Sequence, residues 1–190
     1  MDKKLIIGVT GTTSSGKDTV AKYLQEKGFS HYSCSDILRE ETDKRSEEQN
    51  RDNWIKIGNE LRQEFGPGIL GKKILEKIKE EKVNKTIVSS LRNPVEIKEL
   101  KKSGIFYLIK VDAPIKLRYQ RAKERGNLAD EVSFKKFKSQ EETELKSDDP
   151  TKQQINACLK MADFEIINDG NLKELHRQIE NVLNQIANNK

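Results

Sequence analysis

The sequence predicts an α/β fold: a three-layer, doubly wound, parallel five-stranded sheet with helices on both faces. Three observations carry that prediction. Short strand-like runs alternate with segments of helical period along the 190 residues, and strands separated by helices pair in parallel through right-handed crossovers. The first run, "LIIGVT" (Leu5–Thr10), is short, rich in β-branched residues and apolar, as a buried parallel strand should be. Directly after it comes "GTTSSGK" (Gly11–Lys17), a glycine-bounded loop from which a helix begins, the arrangement that delivers backbone N–H groups to a phosphate.

The elements follow in order. "DTVAKYLQEK" has helical spacing with Val20, Leu24 and Tyr23 inward, and Gly28 ends it. "FSHYSCS" is a short strand candidate, and "DILREE" starts a helix. Residues 40–52 are polar throughout and read as a solvated helix end or loop. "WIKIGNELRQEF" from Trp54 is helical, "GPG" at 66–68 breaks it, and "ILGKKILEKIKEE" resumes the helical period. "KTIVSSL" is a strand, and "NPVEIKELKK" is a helix with Pro94 in its first turn. "IFYLIKVDA" is the most strand-like run of all, followed by the helix "PIKLRYQRAKER". Residues 126–150 are polar, with a helix predicted at "SFKKFKSQEETEL". "ADFEIIN" is the last strand, and "NLKELHRQIENVLNQI" is a terminal amphipathic helix. There is no internal repeat and no long low-complexity linker, so residues 1–190 read as one domain with a core of useful size.

Composition narrows the function classes. Charged residues make up 35% of the chain and the formal net charge is +5. That mild excess suits an anionic small molecule, and the 6% aromatic content argues against a surface built for stacking nucleic acid. The two cysteines, Cys34 and Cys158, have no metal-ligand spacing and read as free thiols of a reducing compartment. The apolar run near the N-terminus is too short for a signal core or a membrane span. A cytoplasmic protein without membrane attachment is the expectation.

The pattern G-x-x-x-x-G-K occurs twice, at Gly11–Lys17 and at Gly66–Lys72. A strand must deliver the loop and a helix must begin in it. Only the first copy has both; the second follows helical sequence and reads as a helix break. In the first copy Gly11 and Gly16 allow tight turns, while Thr12, Thr13, Ser14 and Ser15 offer backbone N–H groups. Lys17 is placed to reach the β- and γ-phosphates of a nucleotide. The commonest form of this loop puts Ser or Thr after the lysine to meet Mg²⁺; here Asp18 stands there and Thr19 follows. Asp18 is either an acid in a helix's first turn, favoured there by up to about 1 kcal/mol, or a ligand to Mg²⁺, direct or through water.

A loop with lysine, one variable residue and then threonine resembles that of nucleoside monophosphate kinases of the adenylate-kinase type. "SGKDTVA" is similar to phage deoxynucleoside monophosphate kinases. "SCSDILREE" resembles the stretch that opens their acceptor-binding helices, which implies that Arg39 holds the acceptor phosphate. "IVSSLRNPVEIKEL" resembles the strand and loop that carry a second acceptor arginine, here Arg92. "KVDAPIKLRYQRAKERG" resembles the strand and helix that lead to the lid, in dephospho-CoA kinases as well, and implies phosphate-facing roles for Arg121 and Arg125. "ADFEIINDGNLKEL" is similar to the last strand and loop of dephospho-CoA kinases, which implies that the backbone at Asn168 and Gly170 borders adenine. The resemblance spans nearly the whole chain. It implies a helical acceptor-binding insertion at 36–84, a lid region at 121–150, and ATP with Mg²⁺. The product chemistry would be transfer of the γ-phosphoryl group to a nucleoside or deoxynucleoside monophosphate. A nucleotide is the implied partner, and monomer and homodimer are both compatible.

Two departures matter. Many of the proteins it resembles carry an acid at the end of the third strand; here Ser89 or Ser90 holds that place, so the metal would lean on phosphates, water, Asp18 or Asp36. The turn after that strand, "SLRNP", also differs from the adenylate-kinase form and weakens AMP as the acceptor. Phosphoryl transfer needs positioning and charge neutralisation, which Lys17, Mg²⁺ and arginines supply. Taken alone, the helix carrying Arg121 and Arg125 also fits an ordinary charged face. Asp36 separates two acceptor classes. A carboxylate base would serve a hydroxyl acceptor such as dephospho-CoA, whereas the plain alternative is a helix N-cap. A nucleotide-binding regulator or slow ATPase is the reading from another class. Trp54 and Phe65 read as core or groove lining. His31 and His176 offer no metal motif, and Cys34 near the acceptor site reads as packing.

Overall fold

The computed structural model describes residues 4–126, 133–145 and 147–188. Five strands form one sheet: β1 (Leu5–Thr10), β2 (Ser30–Ser33), β3 (Lys85–Ser89), β4 (Ile105–Asp112) and β5 (Phe164–Ile167). Their order is β2-β3-β1-β4-β5, and every neighbouring pair is parallel. The predicted fold class holds. β1 lies at the centre because it is apolar on both faces; all six of its residues are buried. The C-terminal ends of β1, β3 and β4 therefore share one edge, with Val9 in register with Ser89 and with Ile109.

The pleat sends alternate residues to two cores. Leu5, Ile7 and Val9 face one of them, with α1 (Lys17–Glu26) and α9 (Leu172–Asn188), which contribute Val20, Leu24, Leu175 and Ile179. Tyr23 packs against this core but stays half-buried. Ile6, Val88 and Leu108 face the other core. There α3 (Arg51–Phe65), α4 (Ile69–Glu80) and α5 (Pro94–Lys101) supply Ile57, Leu61, Leu70, Ile74 and Ile97. Each fully buried aliphatic side chain contributes about 1.5–3 kcal/mol relative to exposure. The two apolar layers are what hold helices on both faces.

Residues 36–84 hold the rest of α2 (Cys34–Lys44) together with α3 and α4. α3 begins at Arg51, three residues before the expected Trp54. The cause is polar: the Asn50 side chain accepts a hydrogen bond from the Asn53 N–H at 2.9 Å and caps the first turn. "GPG" separates α3 from α4, with Gly66 at φ +90°. The second G-x-x-x-x-G-K copy lies in this helix-to-helix turn and has no strand before it.

Beyond β4, α6 (Ile115–Arg125) and α7 (Phe134–Leu145) cover most of the described part of the 121–150 region; residues 127–132 and 146 lie outside the described residues. α8 (Ile155–Lys160) was not expected. With six residues it is too short for a periodic signal, yet Ile155 and Cys158 are buried. No described helix is long and apolar enough to cross a membrane.

Candidate active site

The loop between β1 and α1 is built from both sides. Thr10 anchors its start by donating to the Leu91 carbonyl at 2.9 Å. A side chain at Gly11 would put its Cβ 2.1 Å from the Val111 carbonyl oxygen, so β4 presses directly on the backbone there. Gly16 has φ +100°, and a Cβ there would meet Asn168 Nδ2 at 2.1 Å. That Asn168 amide donates to the Ser15 carbonyl at 2.9 Å, and its own N–H donates to the Asp112 carbonyl at 2.7 Å. The end of β5 therefore braces the loop. Ser14 sits at φ +58°, and the Ser15 hydroxyl is buried without a hydrogen-bond partner among the described residues.

Lys17 is 8% exposed and folds back over the loop, donating its ammonium to the Thr12 carbonyl at 2.5 Å. The helix N-terminus, the glycine-framed backbone and this lysine converge as a phosphate cradle requires. Thr12 also donates to Asp112 Oδ1 at 3.3 Å. Thr19 is half-buried. The Asp18 side chain is 81% exposed and pairs with Arg125 at 3.9 Å. The exposed carboxylate at the mouth of the loop is open to a hydrated cation.

At the end of β3 the structure shows what replaces the acid. Ser89 is 1% exposed, and its hydroxyl pairs with His31 Nε2 at 2.8 Å. Burial pushes the His31 imidazole below its ordinary pKa, while the charges of Asp36 and Asp18 pull it back up. Ser90 adopts φ +60°, a strained conformation for a non-glycine residue, and its hydroxyl accepts from Ser33 at 3.2 Å. Among the described residues no group of three or more His, Cys, Asp and Glu could hold a metal ion. The residues present suit Mg²⁺ carried mainly by nucleotide phosphates and water, with Asp18 as the protein carboxylate at the loop.

The predicted arginines part company. Arg125 donates to the Ser14 hydroxyl at 2.7 Å, so it lies on the phosphate loop. Arg121 donates to the Asn168 carbonyl at 2.9 Å, on the β5 side where adenine was expected, and Gly170 follows in the same turn. Arg39 donates to Asp36 at 2.5 Å and lies over the Trp54 ring, 4.9 Å from its centroid. Asp36 is not the helix N-cap: Ser33 caps α2, accepting from the Ser35 N–H at 3.2 Å. Serine wins because its residue is the last extended one, whereas Asp36 already lies inside the first turn.

A pocket opens where α2, α3, α4 and the turn after β3 meet. Arg51, Arg62, Arg92, Trp54, Cys34 and Gln153 are among its lining residues; Arg39 is not. Arg92 donates to Gln153 at 2.8 Å. Arg51 donates to the Thr13 hydroxyl of the phosphate loop at 3.2 Å, so one side chain touches both loop and pocket. Burial pushes the Cys34 and Cys158 thiols up, which keeps both protonated. Sequence reasoning missed Arg51 and Arg62. Arg51 stood in a polar run read as loop, and Arg62 looks like any helix arginine. Arg118 was missed too. It is 4% exposed, donates to the Ala113 and Thr13 carbonyls at 2.7 and 3.3 Å, and grips Glu141 of α7 with two nitrogens.

Residues 7–147 match a family model described as an AAA domain. A UPF0200 protein of Sulfurisphaera tokodaii is 33% identical over 181 residues, covering 95% of this chain and 97% of its own. The chain belongs to the UPF0200 family. Another UPF0200 protein, of Thermococcus onnurineus, is 30% identical over 187 residues, covering 96% of this chain and 98% of its own. Among solved structures, shikimate kinase from Bacteroides thetaiotaomicron matches with a TM-score of 0.59 at 10% identity, covering 96% of this chain and 98% of that one. Dephospho-CoA kinase from Campylobacter jejuni matches with a TM-score of 0.52 at 19% identity, covering 95% and 96% respectively. At those identities the likeness is one of fold, and this UPF0200 chain has the P-loop kinase fold.

Proposed function

We propose that the chain is an ATP-dependent phosphotransferase whose acceptor already carries a phosphate, in the class of nucleoside and deoxynucleoside monophosphates. The observation that carries this reading is the pocket lined by Arg51, Arg62 and Arg92, joined to the phosphate loop through Arg51 and Thr13. Guanidinium groups grip phosphate oxygens in a planar fork, and among the described residues no acidic one lines the pocket.

In this reading the backbone of 11–16 and Lys17 hold the β- and γ-phosphates, and Arg125 lies over them. Asn168, Gly170 and the Arg121 guanidinium border the base. Asp18 is the carboxylate that would help hold a nucleotide-borne Mg²⁺, which would supply neutralisation of phosphate charge. Arg92 and Arg62 fix the acceptor's phosphate, and Arg51 spans the gap between the two sites. An acceptor phosphate oxygen is already anionic, so no general base is needed. Cytoplasmic action as a monomer or homodimer fits this chemistry.

The hydroxyl-acceptor alternative, dephospho-CoA, would assign Asp36 as base. Its carboxylate is bonded to Arg39, and it does not line the pocket, which favours the monophosphate. A regulator or slow ATPase without an acceptor would leave the arginine pocket unexplained. A coupled assay of ADP formation with a panel of monophosphates and with dephospho-CoA tests the proposal. Acceptor-dependent ADP with at least one monophosphate supports it; ADP formed at one rate whatever is added contradicts it.

A further inference from the structure

We propose that Glu96 is the positioning residue of the arginine pocket and that Arg62, which it aims, is an anion ligand there. The proposal rests on the pocket being the acceptor site. Glu96 is fully buried and Arg62 is 3% exposed. One carboxylate oxygen, Oε1, accepts from both Arg62 Nε at 3.0 Å and Arg62 Nη2 at 2.9 Å. The other, Oε2, accepts the backbone N–H groups of Arg92 and Asn93 at 3.3 and 3.2 Å. A single carboxylate thus fixes the guanidinium of one pocket arginine and the backbone that carries another.

Fold stability alone does not account for the pair. Removing two charges from water costs about as much as their attraction returns, and a well-packed apolar pair of similar volume would join α3 to α5 at least as well. Gly58, one turn before Arg62, lets the guanidinium lie close against the helix: a Cβ there would be 3.3 Å from Nη1 and 3.4 Å from Leu38, which explains a glycine in an otherwise unfavourable helix-interior position. One further feature favours a ligand. Gln153 holds the second guanidinium, accepting from Arg92 Nη1 at 2.8 Å. Both cations are therefore set before any anion arrives, which lowers the ordering cost of binding. Asn93 extends the arrangement by donating to the Pro150 and Lys152 carbonyls at 2.7 and 3.1 Å, tying the 150–152 segment to the same turn.

Trp54 is the chain's single tryptophan and lines the pocket, so its fluorescence serves as a probe there. Inorganic phosphate is titrated against the full chain in wild type, Glu96→Gln, Arg62→Met and the double variant Arg62→Met with Glu96→Gln. The double variant leaves no unpaired buried charge, which keeps folding intact even where a single change does not; circular dichroism and thermal melting check this. A Lys17→Ala background removes phosphate held by the loop. We expect the Trp54 response in wild type, at least a tenfold weaker affinity in Glu96→Gln, and no saturable response in the double variant. In the same Glu96 and Arg62 variants with Lys17 retained, nucleotide binding at the loop should stay within twofold of wild type. A folded double variant that binds phosphate like wild type overturns the proposal, as does a wild type whose Trp54 never responds. Arg62-dependent phosphate binding in a chain that phosphorylates no acceptor would overturn the kinase reading and leave this proposal standing. An active kinase with an unchanged acceptor KM in the double variant would do the reverse.

Discussion

Asp18 and Asp36 show how little a residue type says before its neighbours are known. Both are carboxylates in the first turn of a helix, yet Asp18 stands exposed beside Arg125 while Asp36 is held by Arg39. If the acceptor is a monophosphate, Asp36→Asn should retain turnover within about threefold of wild type. A loss of a hundredfold or more in kcat, the scale of general-base catalysis, would point to a hydroxyl acceptor instead. His31 offers a second test at this scale. Its pKa in the fold lies below the ordinary 6.5, chiefly through burial. The unfolded chain therefore takes up its proton first as pH falls. The neutral ring's contribution is complete above about pH 6.5 and is lost progressively as pH falls towards the folded-state value. Thermal melting between pH 8 and pH 5.5 should show this decline in wild type, and His31→Gln should flatten it. An identical pH profile in the variant would contradict the account.

Elements were legible where a local signal was complete. The run from Leu5 to Glu26 contains a buried strand, a glycine-framed loop and a helix start, and the structure reproduces each of them. The decoy at Gly66–Lys72 was separable for the same reason, since a strand was missing. What stayed hidden depended on contacts between distant segments. Arg62 acquires meaning only because Glu96 lies against it, 34 residues on. Arg39 matched a motif by position, but its side chain is held by the ring of Trp54 and the carboxylate of Asp36 and is not among the residues lining the pocket. α8 has too few residues to show a period. Arg118 belongs to this class as well. Its pair with Glu141 joins α6 to α7, with side chains 5% and 12% exposed, and it donates to Thr13 of the loop. Glu141→Gln should remove the charged partner that Arg118 grips with two nitrogens, leaving Asp112 at 3.9 Å, and cost about 1.5–3 kcal/mol, read as a lower denaturant midpoint. Nucleotide affinity should fall with it, because the loop loses a brace. Unchanged stability and affinity would show that α7 is not coupled to the loop through this pair.

At the scale of the whole molecule, the parallel sheet brings the ends of β1, β3, β4 and β5 to one edge. That edge carries the loop, Ser89, Asp112 and Asn168. The helices between β2 and β3 supply most of the arginine pocket, and Arg51 joins that pocket to the loop at Thr13; in the proposed reading two anion sites meet there. Donor and acceptor phosphates held on either side of that residue would be positioned for direct transfer, which is most of what phosphoryl transfer asks of a protein. The fold was predictable from strand and helix alternation. The pocket proposed for the acceptor was not, because it is assembled from α2, α3, α4, the turn at Arg92 and Gln153, which no single sequence window contains. The most direct test follows the labelled γ-phosphoryl group of ATP in the presence of each nucleoside and deoxynucleoside monophosphate and of dephospho-CoA. The account predicts label in a nucleoside diphosphate. Label found only in free phosphate, or only in coenzyme A, would contradict it.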